Sequence, residues 1–230
     1  MVWRKEHLDL VLVPCGLSVM LGYHFFLLYR CLRCPQTTVI GYENHCRLAW
    51  VERMLQFDLY AQTEANNRNI PLSVISSTIN ASTSLASISL ALSSLIGAWF
   101  ASSSNSILTS PFVYGDTSPT IISIKYISLL ICFLLAFTLF VQCVRCLVHS
   151  NFLISMPNSD VPVKYVQREV IMGGVFWSIG LRALYFATTL LLWIFGPIPM
   201  FVSSITMVMM LHFLDTNSTP LHQFQPACLL

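Results

Sequence analysis

The stretch Ile171–Phe213, IMGGVFWSIGLRALYFATTLLLWIFGPIPMFVSSITMVMMLHF, decides the fold, because Arg182 is its only Lys, Arg, Asp or Glu. As one helix it would be roughly 65 Å long at about 1.5 Å per residue, whereas the hydrocarbon core of a bilayer is about 30 Å thick. Gly196-Pro197-Ile198-Pro199 lies in its middle, and glycine favours a helix C-terminus while proline favours the first turn of the next helix. The stretch therefore predicts two membrane helices, 171–195 and 199–213, joined by a very tight turn, with a broken or re-entrant last segment as the alternative.

The composition of the whole chain agrees with a membrane location. Of its 230 residues, 55% are hydrophobic and only 10% are charged, and the mean hydropathy is +0.69. A soluble domain has about a quarter charged residues. Backbone groups in lipid must be satisfied within the segment, so long apolar runs predict helices. We therefore expect an all-α integral membrane helical bundle of about five transmembrane helices over residues 1–215, followed by a short tail, 216–230. The three other predicted spans are 8–29, 71–98 and 121–147.

The positive charges of the chain collect in two of its loops. Five arginines lie between the first two predicted spans, and Lys164 and Arg168 lie between the third and fourth. The loop from Trp99 to Thr120 has no lysine or arginine. Since loops rich in Lys and Arg stay in the cytosol, we expect the N-terminus outside and the C-terminus cytosolic, although Arg4 and Lys5 oppose this orientation. The five arginines are Arg30, Arg33, Arg47, Arg53 and Arg68.

One segment outside the predicted spans, 43–57, is expected to form a helix. Most of its circumference is apolar, and its polar side chains cluster on a narrow side. Glu43 and Arg47 are four residues apart, in the favourable order for a helical ion pair. A helix this apolar is expected to lie at the cytosolic interface of the membrane or to pack under the bundle. A partner-binding helix is the alternative.

Several short motifs spread over the chain resemble those of one family. They are Trp3-Arg4-Lys5 with Leu8-Asp9-Leu10-Val11-Leu12-Val13-Pro14, Gly22-Tyr23-His24, Tyr29-Arg30, Thr38-Val39-Ile40-Gly41, Trp50-Val51, Gln62-Thr63, Gly180-Leu181-Arg182-Ala183-Leu184-Tyr185-Phe186, Leu191-Leu192-Trp193-Ile194-Phe195-Gly196-Pro197 and Phe213-Leu214-Asp215. Over nearly its whole length the chain resembles a plant family of multi-pass membrane proteins classified only as domain of unknown function family 599. The resemblance implies a helical membrane protein from a plant, and it implies no reaction.

Arg182 lies about midway along the fourth predicted span, which is the costliest depth for a charge. Insertion scales give a free-energy cost of roughly 2.5–3.5 kcal/mol for an arginine at this depth. Arg182 must therefore face the bundle interior and polar groups. Asn80 and Tyr23 are candidates to accept its hydrogen bonds, whereas Asp9 and Asp215 are expected to lie too far along their spans to neutralise it. Arg182 is therefore either an anion-attracting group on a permeation path or a structural arginine, and the family resemblance is compatible with both.

The second predicted span has a face made only of small or polar side chains. Its members recur at alternating steps of four and three, which places them on one side of a helix. Such a face allows close helix packing or lines a polar pore, and both interpretations predict that it points into the bundle. The face consists of Ser73, Ser77, Asn80, Ser84, Ser87, Ala91 and Ser94. The candidate substrate or ion path comprises Arg182, Asn80, Ser84, Ser87, Tyr23 and His24.

Three other ionisable side chains in the spans have structural interpretations. Asp9 and Lys125 both fall near the outer ends of their spans, where we expect a structural ion pair, with a gating or proton role as the alternative. His24 is the lone histidine of the first span. We expect it to pack with a hydrogen bond, and a proton relay is the alternative.

Four of the eight cysteines form two pairs with CxxC spacing at the cytosolic ends of the first and third predicted spans. They are Cys31 with Cys34 and Cys143 with Cys146. Plain apolar cysteines, palmitoylation and a metal or redox site are the three interpretations. The sequence contains no P-loop, GxGxxG, HExxH or GxSxG motif, so we expect no enzyme and no cofactor.

Two functional hypotheses follow. The chain is a transporter or channel component with a polar site around Arg182, which would require a homo-oligomer because five spans hardly enclose a wide path. Alternatively, it is a non-transporting scaffold or regulatory protein that acts through its cytosolic helix. The expected surroundings are the lipid bilayer and an unknown protein partner. Nucleic acid is not expected, because there is no basic run, and the plasma membrane and endomembranes are not distinguished.

Overall fold

The computed structural model describes residues 6–60, 69–102, 118–156 and 162–219, which form six α-helices. Five of these helices are long and apolar enough to cross a membrane, and α2 is the exception. The predicted helical membrane bundle is therefore confirmed. Arg4, Lys5, Arg68, most of the predicted outer loop (103–117) and the end of the tail (220–230) lie outside the described residues. The helices are α1 Glu6–Arg33, α2 Val39–Tyr60, α3 Asn69–Ser102, α4 Pro119–Ser155, α5 Val163–Trp193 and α6 Pro197–Asp215.

The tight turn between α5 and α6 has the predicted form. Helix α5 ends at Trp193, and Gly196 adopts φ 148°, a backbone conformation that side chains other than hydrogen rarely allow. Pro197 then opens α6, two residues earlier than predicted, with its missing N–H at a position that needs no helical hydrogen bond. The last segment is one continuous helix of 19 residues, so α5 and α6 form an antiparallel pair.

The helices pack in an order that leaves α3 at one edge. Helix α4 lies between α3 and α5, α6 packs against α5, and α1 packs against α6. At the end where α1 and α6 begin, a core of buried side chains joins α1, α4, α5 and α6, and Ile96 near the end of α3 also belongs to it. It includes Val13, Tyr126, Leu129, Leu190 and Met200, of which Leu129 and Met200 are fully buried. Helix α3 packs mainly against α4. Much of the circumference of α3 therefore stays uncovered in a single chain.

Helix α2 packs against the N-terminal half of α5. Gln167 on α5 donates to the Leu48 carbonyl oxygen at 3.0 Å, and Val51 is fully buried in a core with Val166 and Val170. The helix predicted at 43–57 is thus real but longer at both ends. The apolar side of α2 meets Val166 and Val170, which form an apolar face on the otherwise polar first turns of α5.

Helices α6 and α2 follow one another along α5. A backbone bridge pairs Thr38 with Thr216, and the Asn217 amide donates to the Thr37 carbonyl oxygen at 3.1 Å. Thr38 is fully buried, and its hydroxyl accepts a hydrogen bond from the Gly41 amide at the start of α2. We call this contact between residues 37–38 and 216–217 the α2–α6 clasp.

Candidate functional site

Arg182 forms a buried, bidentate ion pair with Asp215. Its Nη2 donates to Oδ1 at 2.7 Å and its Nη1 donates to Oδ2 at 3.1 Å. The side chains are only 15% and 11% exposed. The hydroxyl of Tyr23 donates to the same Oδ2 at 2.7 Å. Three side chains from α5, α6 and α1 therefore share one polar cluster, which we call the Arg182 cluster.

The expectation that Asp215 lies too far from Arg182 is wrong. Arg182 is roughly 17 Å from the turn along α5 and Asp215 is roughly 27 Å from it along α6, a difference of about 10 Å. Side chains lean toward the N-terminus of their own helix. Because α5 and α6 are antiparallel, the two side chains lean toward each other and close that gap. Depth counted along the backbone overstated the separation.

Tyr23 and His24 lie beside this pair in different roles. Tyr23 was expected to accept a hydrogen bond from Arg182, but it donates to Asp215 instead. The His24 Nδ1 lies 2.7 Å from the Met20 carbonyl oxygen, an acceptor, so Nδ1 must hold a proton. Its Nε2 is buried without a polar partner among the described residues, and the ring packs 5.1 Å from that of Phe186. This arrangement matches the packed histidine with one hydrogen bond.

The small and polar face of α3 points away from the bundle. All seven of its members are exposed in the single chain, so the expected inward orientation is wrong. Asn80, Ser84 and Ser87 consequently line no path to Arg182 within one chain. The serines bond to their own helix: Ser84 donates to the Asn80 carbonyl oxygen at 2.9 Å, and Ser87 donates to that of Thr83. The buried face of α3 instead consists of Ile75, Ser82, Ala86, Ser89, Ser93 and Ile96.

Asp9 and Lys125 meet around a tryptophan at the opposite end of the bundle. The Trp193 Nε1 donates to Asp9 Oδ1 at 2.9 Å, and Lys125 Nζ lies 5.4 Å from the centre of the Trp193 ring. Asp9 and Lys125 are 6% and 5% exposed. Opposite charges thus share one buried aromatic neighbour, while the direct ion pair stays a prediction.

The cysteines do not form a shared site. Cys143 and Cys146 are buried, and Cys143 lies 3.3 Å from the Ser82 hydroxyl, so neither thiol is open to acylation. Over the described ranges, no three His, Cys, Asp or Glu side chains gather as metal ligands, so the four thiols do not come together at one place. The physical reason is that α1 packs on α6 whereas α4 lies between α3 and α5. Cys31 is partly buried and Cys34 is exposed, so lipidation there stays a prediction.

A cleft of about 610 Å³ opens between α2 and α3, and α4 and α5 form its floor. The Arg47 guanidinium lies on this floor, since a Cβ at Gly174 would overlap its Nη1. The ion pair between Glu43 and Arg47 that the sequence predicts is confirmed, with Nη2 2.9 Å from Oε2. The cleft was not predicted from the sequence. The available signal was Gly173-Gly174, a glycine pair at the start of a span where another backbone or side chain approaches closely.

Comparisons with known proteins identify a family and nothing more specific. No curated protein and no solved structure matches the chain. A family model described as "Protein of unknown function, DUF599" matches residues 11–220, which is nearly the whole chain and covers the five apolar helices except the first residues of α1. This multi-pass membrane protein therefore belongs to the DUF599 family.

Proposed function

We propose that this chain is a non-transporting membrane scaffold or regulatory protein that acts through α2. The observation that carries the proposal is the neutralisation of Arg182. An anion site on an arginine needs guanidinium N–H groups that can turn to the ligand, whereas the Asp215 carboxylate binds both Nη atoms of Arg182, at 2.7 and 3.1 Å. The transport hypothesis requires an Arg182 without such a carboxylate partner.

The Arg182 cluster supports a structural role. Its members come from three helices, and the Tyr23 hydroxyl and the Arg182 guanidinium both donate to Asp215. Such a cluster fixes the relative position of α1, α5 and α6, because breaking it would leave a charge unpaired in the bundle. A substrate ion would have to displace one of these bonds.

Helix α2 supplies the surface through which we propose the protein acts. Val51 is buried against α5, while Glu43, Glu52 and Arg53 on the same helix are exposed. Lys164 and Arg168 at the start of α5 lie at the same end of the bundle and are exposed too. By the positive-inside rule this end faces the cytosol, so the partner is a cytosolic protein. The motif resemblance supports a plant source, and nothing favours an enzyme.

The exposed face of α3 supports a homo-oligomer. Ser84 and Ser87 satisfy their hydroxyls within the helix, whereas the Asn80 amide on the same face is exposed toward lipid in a single chain. In a dimer with its axis along the membrane normal, the same residue of each copy lies at the same depth. Two Asn80 amides could then bond across the interface, and the small residues around them allow close approach.

A flux assay tests the proposal. We expect proteoliposomes containing the purified protein to show no flux of common anions or cations above that of empty vesicles. A saturable anion flux that is lost in Arg182→Lys, which keeps the charge but not the two-pronged geometry, would overturn the proposal. The matched control is Arg168→Lys on the same helix.

Crosslinking tests the role of α2. A photo-crosslinking amino acid at position 52 is expected to give a discrete protein adduct in native membranes. The same probe at Leu95, which is 63% exposed on α3, is the control for contacts made by any exposed side chain. If both positions give the same adducts, or position 52 gives none, α2 is not an interaction surface.

A further inference from the structure

The cleft between α2 and α3 has the shape and chemistry of a lipid site. We propose that it binds one zwitterionic phospholipid of the cytosolic leaflet, with the phosphate on Arg47. Nothing in the family description assigns a ligand to the chain. The site does not depend on the role proposed above, and it would stand equally if the protein carried ions.

The interior of the cleft suits an acyl chain. Its volume of about 610 Å³ is within the range of roughly 300–1,000 Å³ that small-molecule sites occupy. Trp50 of α2, Ile75 of α3 and Trp177 of α5 line it. Large apolar side chains from three helices thus form walls around one space. An acyl chain would fill this space and cover apolar surface that α2 and α3 leave uncovered between them.

The end of the cleft where Arg47 lies over Gly174, which we call its rim, carries one positive and one negative side chain. Arg47 Nη2 donates to Glu43 Oε2 at 2.9 Å, and Nη1 donates to Asn44 Oδ1 at 3.1 Å. These bonds hold the guanidinium in place and use two of its five N–H groups. A phosphate can accept from the others, as guanidinium groups favour. Glu43 then lies where it attracts the ammonium of the headgroup and disfavours a lipid with net negative charge.

The depth of the cleft matches the boundary between headgroups and acyl chains. Arg47 lies on Gly174, only three residues beyond Ile171, where the apolar stretch of α5 begins. On α3 the lining runs from Val74 to Ala81, within the first four turns of a 34-residue helix. A polar rim at the start of two spans, with apolar walls beyond it, fits an amphiphile already oriented in the leaflet.

Two glycines make room for this arrangement. A Cβ at Gly174 would overlap the Arg47 guanidinium, and a Cβ at Gly173 would lie 2.9 Å from Leu147 Cδ2. Any larger residue at 174 would push Arg47 off the floor of the cleft. Because Gly174 has no side chain, the Arg47 guanidinium can lie directly over it and face the cleft.

The test measures phospholipid retained by the purified full-length protein. The protein is reconstituted in vesicles of equal parts phosphatidylethanolamine and phosphatidylglycerol, extracted in mild detergent, and its retained lipid is identified by mass spectrometry. We expect retention of phosphatidylethanolamine in preference to phosphatidylglycerol. In Arg47→Gln, which loses a charge-assisted hydrogen bond, retention should fall roughly tenfold. The control Arg53→Gln removes the same charge from the same helix outside the cleft and should retain lipid like the wild type.

Two further variants keep the proposal falsifiable if Arg47→Gln misfolds. Ala81→Leu fills the cleft from α3 and should also lose the lipid. Glu43→Gln should shift retention toward phosphatidylglycerol. Equal retention in the wild type, Ala81→Leu and any folded Arg47→Gln protein, or preferential retention of phosphatidylglycerol by the wild type, would overturn the proposal.

Crosslinking distinguishes a lipid from a protein in the same cleft. A photo-crosslinking amino acid at Thr78, which lines the cleft on α3 and is not part of the small and polar face, should add the mass of a phospholipid in membranes. A polypeptide adduct at this position would instead assign the cleft to a protein segment and overturn the lipid proposal.

Discussion

Replacing Arg182 with leucine is expected to destabilise the folded bundle by about 3–5 kcal/mol, because it leaves the Asp215 carboxylate buried without its counter-ion. The two side chains are 15% and 11% exposed, so water has little access to solvate the remaining charge. For domains of 150–250 residues, about 1 kcal/mol corresponds to a 2–4 °C shift in the unfolding midpoint. The expected drop is therefore about 6–20 °C, measured as loss of monodisperse protein on heating in detergent.

The double variant separates an ion pair from two independent effects. Arg182→Leu with Asp215→Leu removes both charges, and it should lose less stability than the sum of the single variants, with a coupling of about 2–3 kcal/mol. Arg168→Gln, an exposed charge on the same helix, should change stability by no more than about 0.5 kcal/mol. A coupling near zero would refute the structural interpretation. Intact folding of Arg182→Leu with loss of an anion flux would restore the transport hypothesis.

Three other features can be tested singly. Asn80→Leu should weaken self-association by about 0.6–1.7 kcal/mol, the range for polar side chains between membrane helices; unchanged energy transfer between labelled copies diluted in a bilayer would argue against the α3 interface. Gly174→Ala should displace Arg47 and speed hydrogen exchange along α2, since the new Cβ overlaps the guanidinium; wild-type exchange rates would contradict the packing of α2. Thiol reagents should modify exposed Cys34 in the folded protein far faster than buried Cys143; mass spectrometry giving equal rates would disprove their different exposure.

The helices and the turn could be predicted because each depends on local sequence. Apolar runs of sufficient length specify membrane helices whatever surrounds them, and Gly196-Pro197 specifies a turn through the backbone limits of those two residues alone. The i,i+4 pair of Glu43 and Arg47 is local in the same sense. None of these inferences required knowledge of which helices are neighbours.

The Arg182 cluster could not be predicted in the same way. Its partner Asp215 lies 33 residues away, and the contact depends on the antiparallel order of α5 and α6 and on the direction in which side chains leave a helix. The prediction that the small and polar face of α3 points into the bundle was wrong for a related reason. A heptad pattern places residues on one side of a helix, but it does not say whether that side meets the same chain, another copy or lipid. Only the position of α3 at the edge of the bundle decides this.

The α2–α6 clasp has a consequence for how the protein is made. Thr38 emerges from the ribosome early and Thr216 near the end of the described chain, yet they pair in the finished molecule. Tyr23 and Arg182 likewise cannot form their hydrogen bonds to Asp215 until that residue has been synthesised. Helix α2 therefore has to remain near its neighbours, without its final anchor, while four more helices are synthesised. A messenger RNA that terminates just before residue 215 would give a chain with its long apolar segments but without the contacts of Asp215 and Thr216. Such a chain would be suited to recognition by membrane quality control.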